Sequence, residues 1–275
     1  MNTQTTDATT ALWQLDLGDA ARRRPLDLRD APALHPQERL AAIATWHGRM
    51  VNETRSARVF ATLRGQARDA GLGAAVEATL ARFEAEEHAH GELCAAAAVA
   101  LGGDARASAA WGAAVPSHDV DDPLEGLLRN VLSISCLSET VAVALIQAER
   151  LESGPQALAQ TLRTILADEI GHARFGWALL DQLAPRLGPE RRARLSAWLP
   201  LALGHLEAHE LRELAPGPAP SRAAADVGIC DGDQARALFY QTVHDVVIPG
   251  LERRGLAATW AWQRRVSPET LLAAA

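Results

Sequence analysis

Apolar residues return every three or four positions over long stretches of this chain, separated by short breaks rich in Gly and Pro. That period marks helices packed along one face. From Pro36 the pattern holds to about Ala70 and ends at Gly71-Leu72-Gly73; a second stretch covers about 74–101 and stops at Gly102-Gly103. Residues 104–121 read as a loop. A third helix opens at Asp122-Pro123-Leu124-Glu125, where Asp122 can cap, Pro123 suits the first helical position and Glu125 completes a capping box; it ends near Ser153-Gly154. Pro155 starts a fourth helix that reaches Leu183, and Pro189 starts a fifth that reaches about Leu214. After a Pro/Gly/Ala loop over 215–230 come a helix from Asp231, broken at Pro249, and a last helical piece through Arg265. The expected fold is all-α: an arm over 1–34 with at most a short helix, a four-helix bundle over 35–185, and a C-terminal helical extension over 186–275 packed on the bundle.

Composition narrows the function. Aromatic residues make up only 4% of the 275 residues, which favours helices over strands. The chain has no lysine, so chemistry that needs a lysine Schiff base is excluded. A net charge of −7 argues against a nucleic-acid partner, and Arg22-Arg23-Arg24 reads as a solvated turn. Three widely spaced cysteines without a CxxC pair suit a reducing compartment. No leader pattern and no apolar run long enough to cross a bilayer are evident, so a soluble, cytoplasmic protein without a membrane partner is expected.

The chemistry lies on the helix seams. Among nine histidines only His90 and His172 follow a glutamate by three positions, in Glu87-x-x-His90 and Glu169-x-x-His172. A glutamate and a histidine so spaced project from one helix face and can grip one ion together. The second helix carries the seam Phe83, Glu87, His90, Cys94, Ala97, and the fourth carries Ile165, Glu169, His172, Gly176, Leu179. The first helix supplies Trp46, Met50, Glu53, Ala57 and Phe60 on the same alternation; the third supplies Leu132, Ser135, Glu139 and Ala142. Each of the four helices thus places a carboxylate among apolar neighbours. Four buried carboxylates without partners would cost more than a domain's whole stability, so a cationic partner is required.

Glu53, Glu87-x-x-His90, Glu139 and Glu169-x-x-His172 on four successive helices resemble the ferritin-like di-iron carboxylate superfamily over about residues 36–185, nearer its oxygenase and oxidase members than storage ferritins. The resemblance implies six ligands, Glu53, Glu87, His90, Glu139, Glu169 and His172, holding two iron ions, with Mn/Fe as the alternative to Fe/Fe, and Glu139 bridging with a second glutamate. Glu86 and Asp168, each directly before a ligand glutamate, look like the acids of bacterial multicomponent monooxygenases that orient ligand histidines across the site. Cys94, four residues after His90, fits those enzymes as well, although a buried cysteine is ordinarily a small hydrophobe. Candidate pocket residues are Ala57, Phe60, Cys94, Ala142, Val143 and Gly176; small residues there also suit close helix packing.

The function implied is an oxygen-activating oxidase or oxygenase acting on a small organic substrate, with dioxygen as co-substrate. An external electron donor is expected because no flavin or nicotinamide fingerprint is present, and a homodimer is the assembly expected. A ferroxidase or iron-handling protein is the alternative, and a metal-free helical scaffold the second. His205, His209 and Glu210 read as an exposed polar face, and Trp46 and Trp177 as core or pocket wall.

Overall fold

The computed structural model describes residues 12–110, 115, 116, 118, 120–214 and 216–266. The described residues are all-α apart from one small ribbon. Two long antiparallel helices, α2 (Pro36–Asp69) and α3 (Ala74–Ala100), pack along their length. The positive φ of Gly71 (69°) lets the chain reverse between them, a conformation glycine adopts without steric cost. His35 starts α2 as a cap: its ring accepts the Gln37 N–H, while Glu38 accepts the His35 N–H at 3.0 Å.

The next rod comprises α4 (Pro123–Val131), a π-helical segment over Leu132–Ser138 and α5 (Glu139–Glu152). Asp122 caps it by accepting the Leu124 N–H at 3.0 Å. Glu125 does not complete the expected capping box. Its buried carboxylate instead meets Arg129 at 2.7 Å and Arg194 at 2.6 Å, because two guanidinium groups within reach stabilise a buried charge better than one backbone N–H. α6 (Gln156–Leu183) returns beside α5 and the π segment.

Residues 123–150 form a helical rod that is long and apolar enough, by length and composition alone, to cross a bilayer. This corrects the expectation that no stretch qualifies. The apolar positions serve burial on several sides, since the rod packs against α2, α6 and a later helix over Pro189–Glu213 and carries Glu139 at mid-length.

Beyond α6 lie α7 (Pro189–Glu213), α8 (Arg222–Asp226), α9 (Gly232–Thr242), α10 (Ile248–Glu252) and α11 (Ala258–Gln263). Pro249 does not break its helix as expected. It falls in the first turn of α10, directly after a second π segment (Val243–Val247) where the ordinary ladder is already relaxed, so its missing N–H costs little. Glu207 on α7 accepts from Tyr240 at 2.9 Å and pairs with Arg265 at 2.6 Å, tying the last helices to α7.

The N-terminal region and the 104–121 stretch differ from the sequence reading. Leu12–Asp16 forms β1 and pairs antiparallel with β2 (Arg106–Ala110), Gln14 opposite Ser108, followed by the short helix α1 (Gly18–Arg23). Neither strand shows apolar alternation strong enough to be read locally. The pairing is made across some ninety residues and held by an Asp16–Arg106 contact at 2.9 Å.

Where α6 meets the π segment, a Cβ on Gly176 would lie 2.5 Å from the Ser135 Cβ and 2.9 Å from the Cys136 Sγ. Its missing side chain therefore serves close helix approach. Gly176→Ala is expected to lower stability by about 1–3 kcal/mol, measured by urea unfolding at fixed metal content. A loss below roughly 0.5 kcal/mol would show that the π segment yields freely.

Candidate metal centre

Four rods bring six side chains to one interior level. Glu53 comes from α2, Glu87 and His90 from α3, Glu139 from the first turn of α5, and Glu169 and His172 from α6. His90 and His172 are fully enclosed, Glu87, Glu139 and Glu169 are buried, and Glu53 keeps slight exposure. The spacing of three in each Glu-x-x-His pair places both groups on one helix face.

These residues form two overlapping groups. Glu53, Glu87, His90 and Glu169 make one; Glu87, Glu139, Glu169 and His172 make the other; in each, the donor atoms lie within 4.8 Å of one another. That is near the span of donors around one ion held by bonds of about 2.0–2.2 Å. The members common to both groups are Glu87 and Glu169, whereas Glu139 belongs to one alone. Glu87 and Glu169 are common to both groups because α3 and α6 face each other across the centre.

The histidines are braced crosswise. His90 Nε2 lies 3.0 Å from Asp168 on α6, and His172 Nε2 lies 3.0 Å from Glu86 on α3. With Nε2–H donating outward to a carboxylate, loss of the second ring proton would leave the Nδ1 lone pair facing the centre, the tautomer a metal ligand needs. Around that inner nitrogen the carboxylates converge: His90 Nδ1 is 3.4 Å from Glu169, 3.6 Å from Glu53 and 3.8 Å from Glu87, and His172 Nδ1 is 2.9 Å from Glu169 and 3.1 Å from Glu87. His90 Nδ1 and Glu87 Oε2 are buried with no hydrogen-bond partner. Two inward polar atoms without hydrogen-bond partners, within a set of oxygen and imidazole ligands, fit divalent ions.

The electrostatics show what the protein must do without one. Burial, with the charges of Glu87 and Glu169, pushes the Glu53 carboxyl up to about 8 despite its contact with His90. Burial and the charges of Glu169 and Glu87 also drive Glu139 well above the carboxylate range. Burial opposes the charge on His172, yet hydrogen bonding to Glu169 and Glu87 outweighs it and raises that imidazole to about 10; His90 is raised too, by Glu169, Glu53 and Glu87. Glu169 is likewise disfavoured by burial but held at about 2 by His172 and His90. Protons thus do the balancing that two cations can do instead.

The surroundings are close-packed and largely apolar. Phe83 and Phe60 lie 4.3 and 5.0 Å from the His172 ring, and Phe175 packs edge-on to Phe83 at 5.4 Å. Ala57 and Cys94 are fully buried, and Ala142 and Val143 on α5 are half-buried. The π segment ends on Glu139, whose N–H donates to Ile134 O five residues back, so the widened turn sets that carboxylate's register. Next to it Thr140 accepts from Trp177 Nε1 at 3.1 Å, and Trp46 Nε1 donates to Val227 O at 2.9 Å, both tying the centre to its packing. Sequence reasoning missed Arg49, which pairs with the buried Glu149 on α5; its place four before Glu53 on the same face was the available signal.

His205 and His209 are exposed on α7, and burial raises Glu210 to about 7; none of them joins a metal-competent group among the described residues. No protein-family model matches the chain, and no curated protein aligns with it significantly.

Two outcomes follow from this geometry. His90→Ala and His172→Ala are expected to remove most bound metal while far-ultraviolet circular dichroism keeps its helical form, and Asp168→Ala to weaken metal binding by about 10–100-fold; unchanged metal content in both histidine variants would dissolve the assignment. The second concerns pH. In chelator-treated protein, Glu53 stays protonated in the fold up to about 8 while the unfolded chain ionises near 4.5, so stability falls as pH rises between the two. The stability His172 gains from its partners is complete below its unfolded value of 6.5 and disappears as pH rises through about 10. Both act in one direction: the melting temperature should fall between about pH 6 and 9, and a saturating divalent ion should remove that fall. A flat chelated profile would show that these groups ionise as in water.

Proposed function

We propose that this chain is a non-haem oxidase or oxygenase of the ferritin-like kind, holding two iron ions in its core and acting with dioxygen on a small organic substrate. The observation carrying this reading is the pair of four-residue groups that share Glu87 and Glu169, each completed by one histidine and one further glutamate. When bound, paired ferrous ions supply the electrons for dioxygen chemistry. Fe/Fe loading is the reading we adopt, with Mn/Fe the alternative.

The residues divide the work among them. Glu87 and Glu169, common to both groups, would help hold both ions, and Glu53 and Glu139 would each help hold one. Asp168 and Glu86 keep each imidazole proton on the outward nitrogen, so that the inward one stays free to ligate. Phe60, Phe83 and Phe175 pack around the His172 side and exclude water there, which strengthens every charge interaction inside. Substrate approaching Ala142 and Val143 on the half-buried α5 would meet the Glu139 side. An external reductant, a cytoplasmic location and a homodimer belong to the same proposal.

The test is an anaerobic ferrous titration followed by exposure to oxygen, watched by visible absorption. A stoichiometry of two irons per chain and a transient coloured species on oxygen exposure are expected. Uptake of many irons per chain by a large assembly would instead indicate a ferroxidase. Failure to bind iron, manganese or zinc would leave only a helical scaffold.

A further inference from the structure

Thr54, Thr161 and Thr242 are buried on helices, and each hydroxyl donates to the carbonyl four residues back, at 2.8, 3.0 and 2.8 Å. Ser135 differs. It is fully buried, and its Oγ has no hydrogen-bond partner among the described residues. The reason lies in the backbone. Ser135 falls within the π segment Leu132–Ser138, where the ladder is shifted by one residue and the usual bond to the preceding turn is not made. A hydroxyl buried in this way is destabilising until something accepts its proton.

The position of Ser135 narrows what that acceptor is. It lies four residues before Glu139 on the same face of the rod, since positions four and five apart align in an i→i+5 turn. Across the interface it meets α6 at Gly176, four residues after His172; a Cβ there would stand 2.5 Å from the Ser135 Cβ. Ser135 is thus one turn from Glu139 and packs one turn from His172. Both belong to the group of Glu87, Glu139, Glu169 and His172, and neither belongs to the other group. Ligating carboxylates are held by hydrogen bonds of their own, as ligating imidazoles are. His90 and His172 have Asp168 and Glu86, whereas Glu139 lies against the carboxyl of Glu169, which brings no N–H.

We propose that Ser135 is a positioning residue for the metal position of Glu87, Glu139, Glu169 and His172: when Glu139 ligates an ion, the Ser135 hydroxyl donates to its carboxylate and holds it in place. The assignment deepens the two-metal reading and rests on it. It also makes the two positions unequal, because Ser135 adjoins one group and not the other.

Anaerobic calorimetric titration of the full chelator-treated chain with Co²⁺ tests this, together with urea unfolding of the same metal-free samples. The wild type should take up two ions. In Ser135→Ala one of the two binding steps should weaken by about ten-fold while the other keeps its affinity. Its metal-free unfolding midpoint should stay level or rise, since an unsatisfied hydroxyl is removed. Cys136→Ala alters the neighbouring side chain packed against Gly176 and keeps the hydroxyl, so both steps should be unchanged. Unaltered binding in Ser135→Ala, an equal loss in both steps, a metal-free midpoint that falls with the affinity, or the same loss in Cys136→Ala would overturn the proposal and leave the two-metal reading intact. A wild type that takes up no ion would overturn that reading, and the proposal with it.

Discussion

Mutual repulsion and desolvation of Glu53, Glu87, Glu139 and Glu169 is the constraint around which this molecule is organised. Ionised carboxylates brought together in an apolar core cost several kcal/mol each unless positive charge is placed among them. Without metal the protein answers with protons, raising Glu53 and Glu139 and charging the two imidazoles. Metal cations could take the place of those protons, because each proton released would free a donor atom already facing the centre.

Rigidity around the cluster comes from backbone as much as from side chains. The π segment before Glu139 and the bare backbone of Gly176 let α5 and α6 approach closely, and the crossed bonds of Asp168 to His90 and Glu86 to His172 lock α3 against α6. Helices spaced in this way hold the carboxylates and imidazoles in register. This preorganisation is what oxygen chemistry in a dry pocket would require.

The N-terminal ribbon plays a different part. It contributes little to the metal-ligand level, yet it covers the outside of the α2/α3 pair, where Trp13, Leu15 and Leu17 line a cleft over the helices. Two regions of contrasting chemistry therefore share the same pair of helices: an inner face of carboxylate and imidazole, and an outer face covered by indole and leucine.

What could be read from the order of residues was whatever a helix repeats locally. The three-and-four seams, the breaks at Gly71, Gly102 and Pro155, and the paired Glu-x-x-His positions depend only on spacing along one helix, and the buried positions of Glu87, His90, Glu169 and His172 follow from it. The β1–β2 ribbon, the continuation of the helix through Pro249 and the engagement of Glu125 by Arg129 and Arg194 were hidden, because each depends on a partner or a backbone widening that no local period encodes. Which glutamates belong to both metal-competent groups was decided in the same way. All four seams carry a carboxylate, and only the facing of α3 and α6 sets Glu87 and Glu169, rather than Glu139, in both.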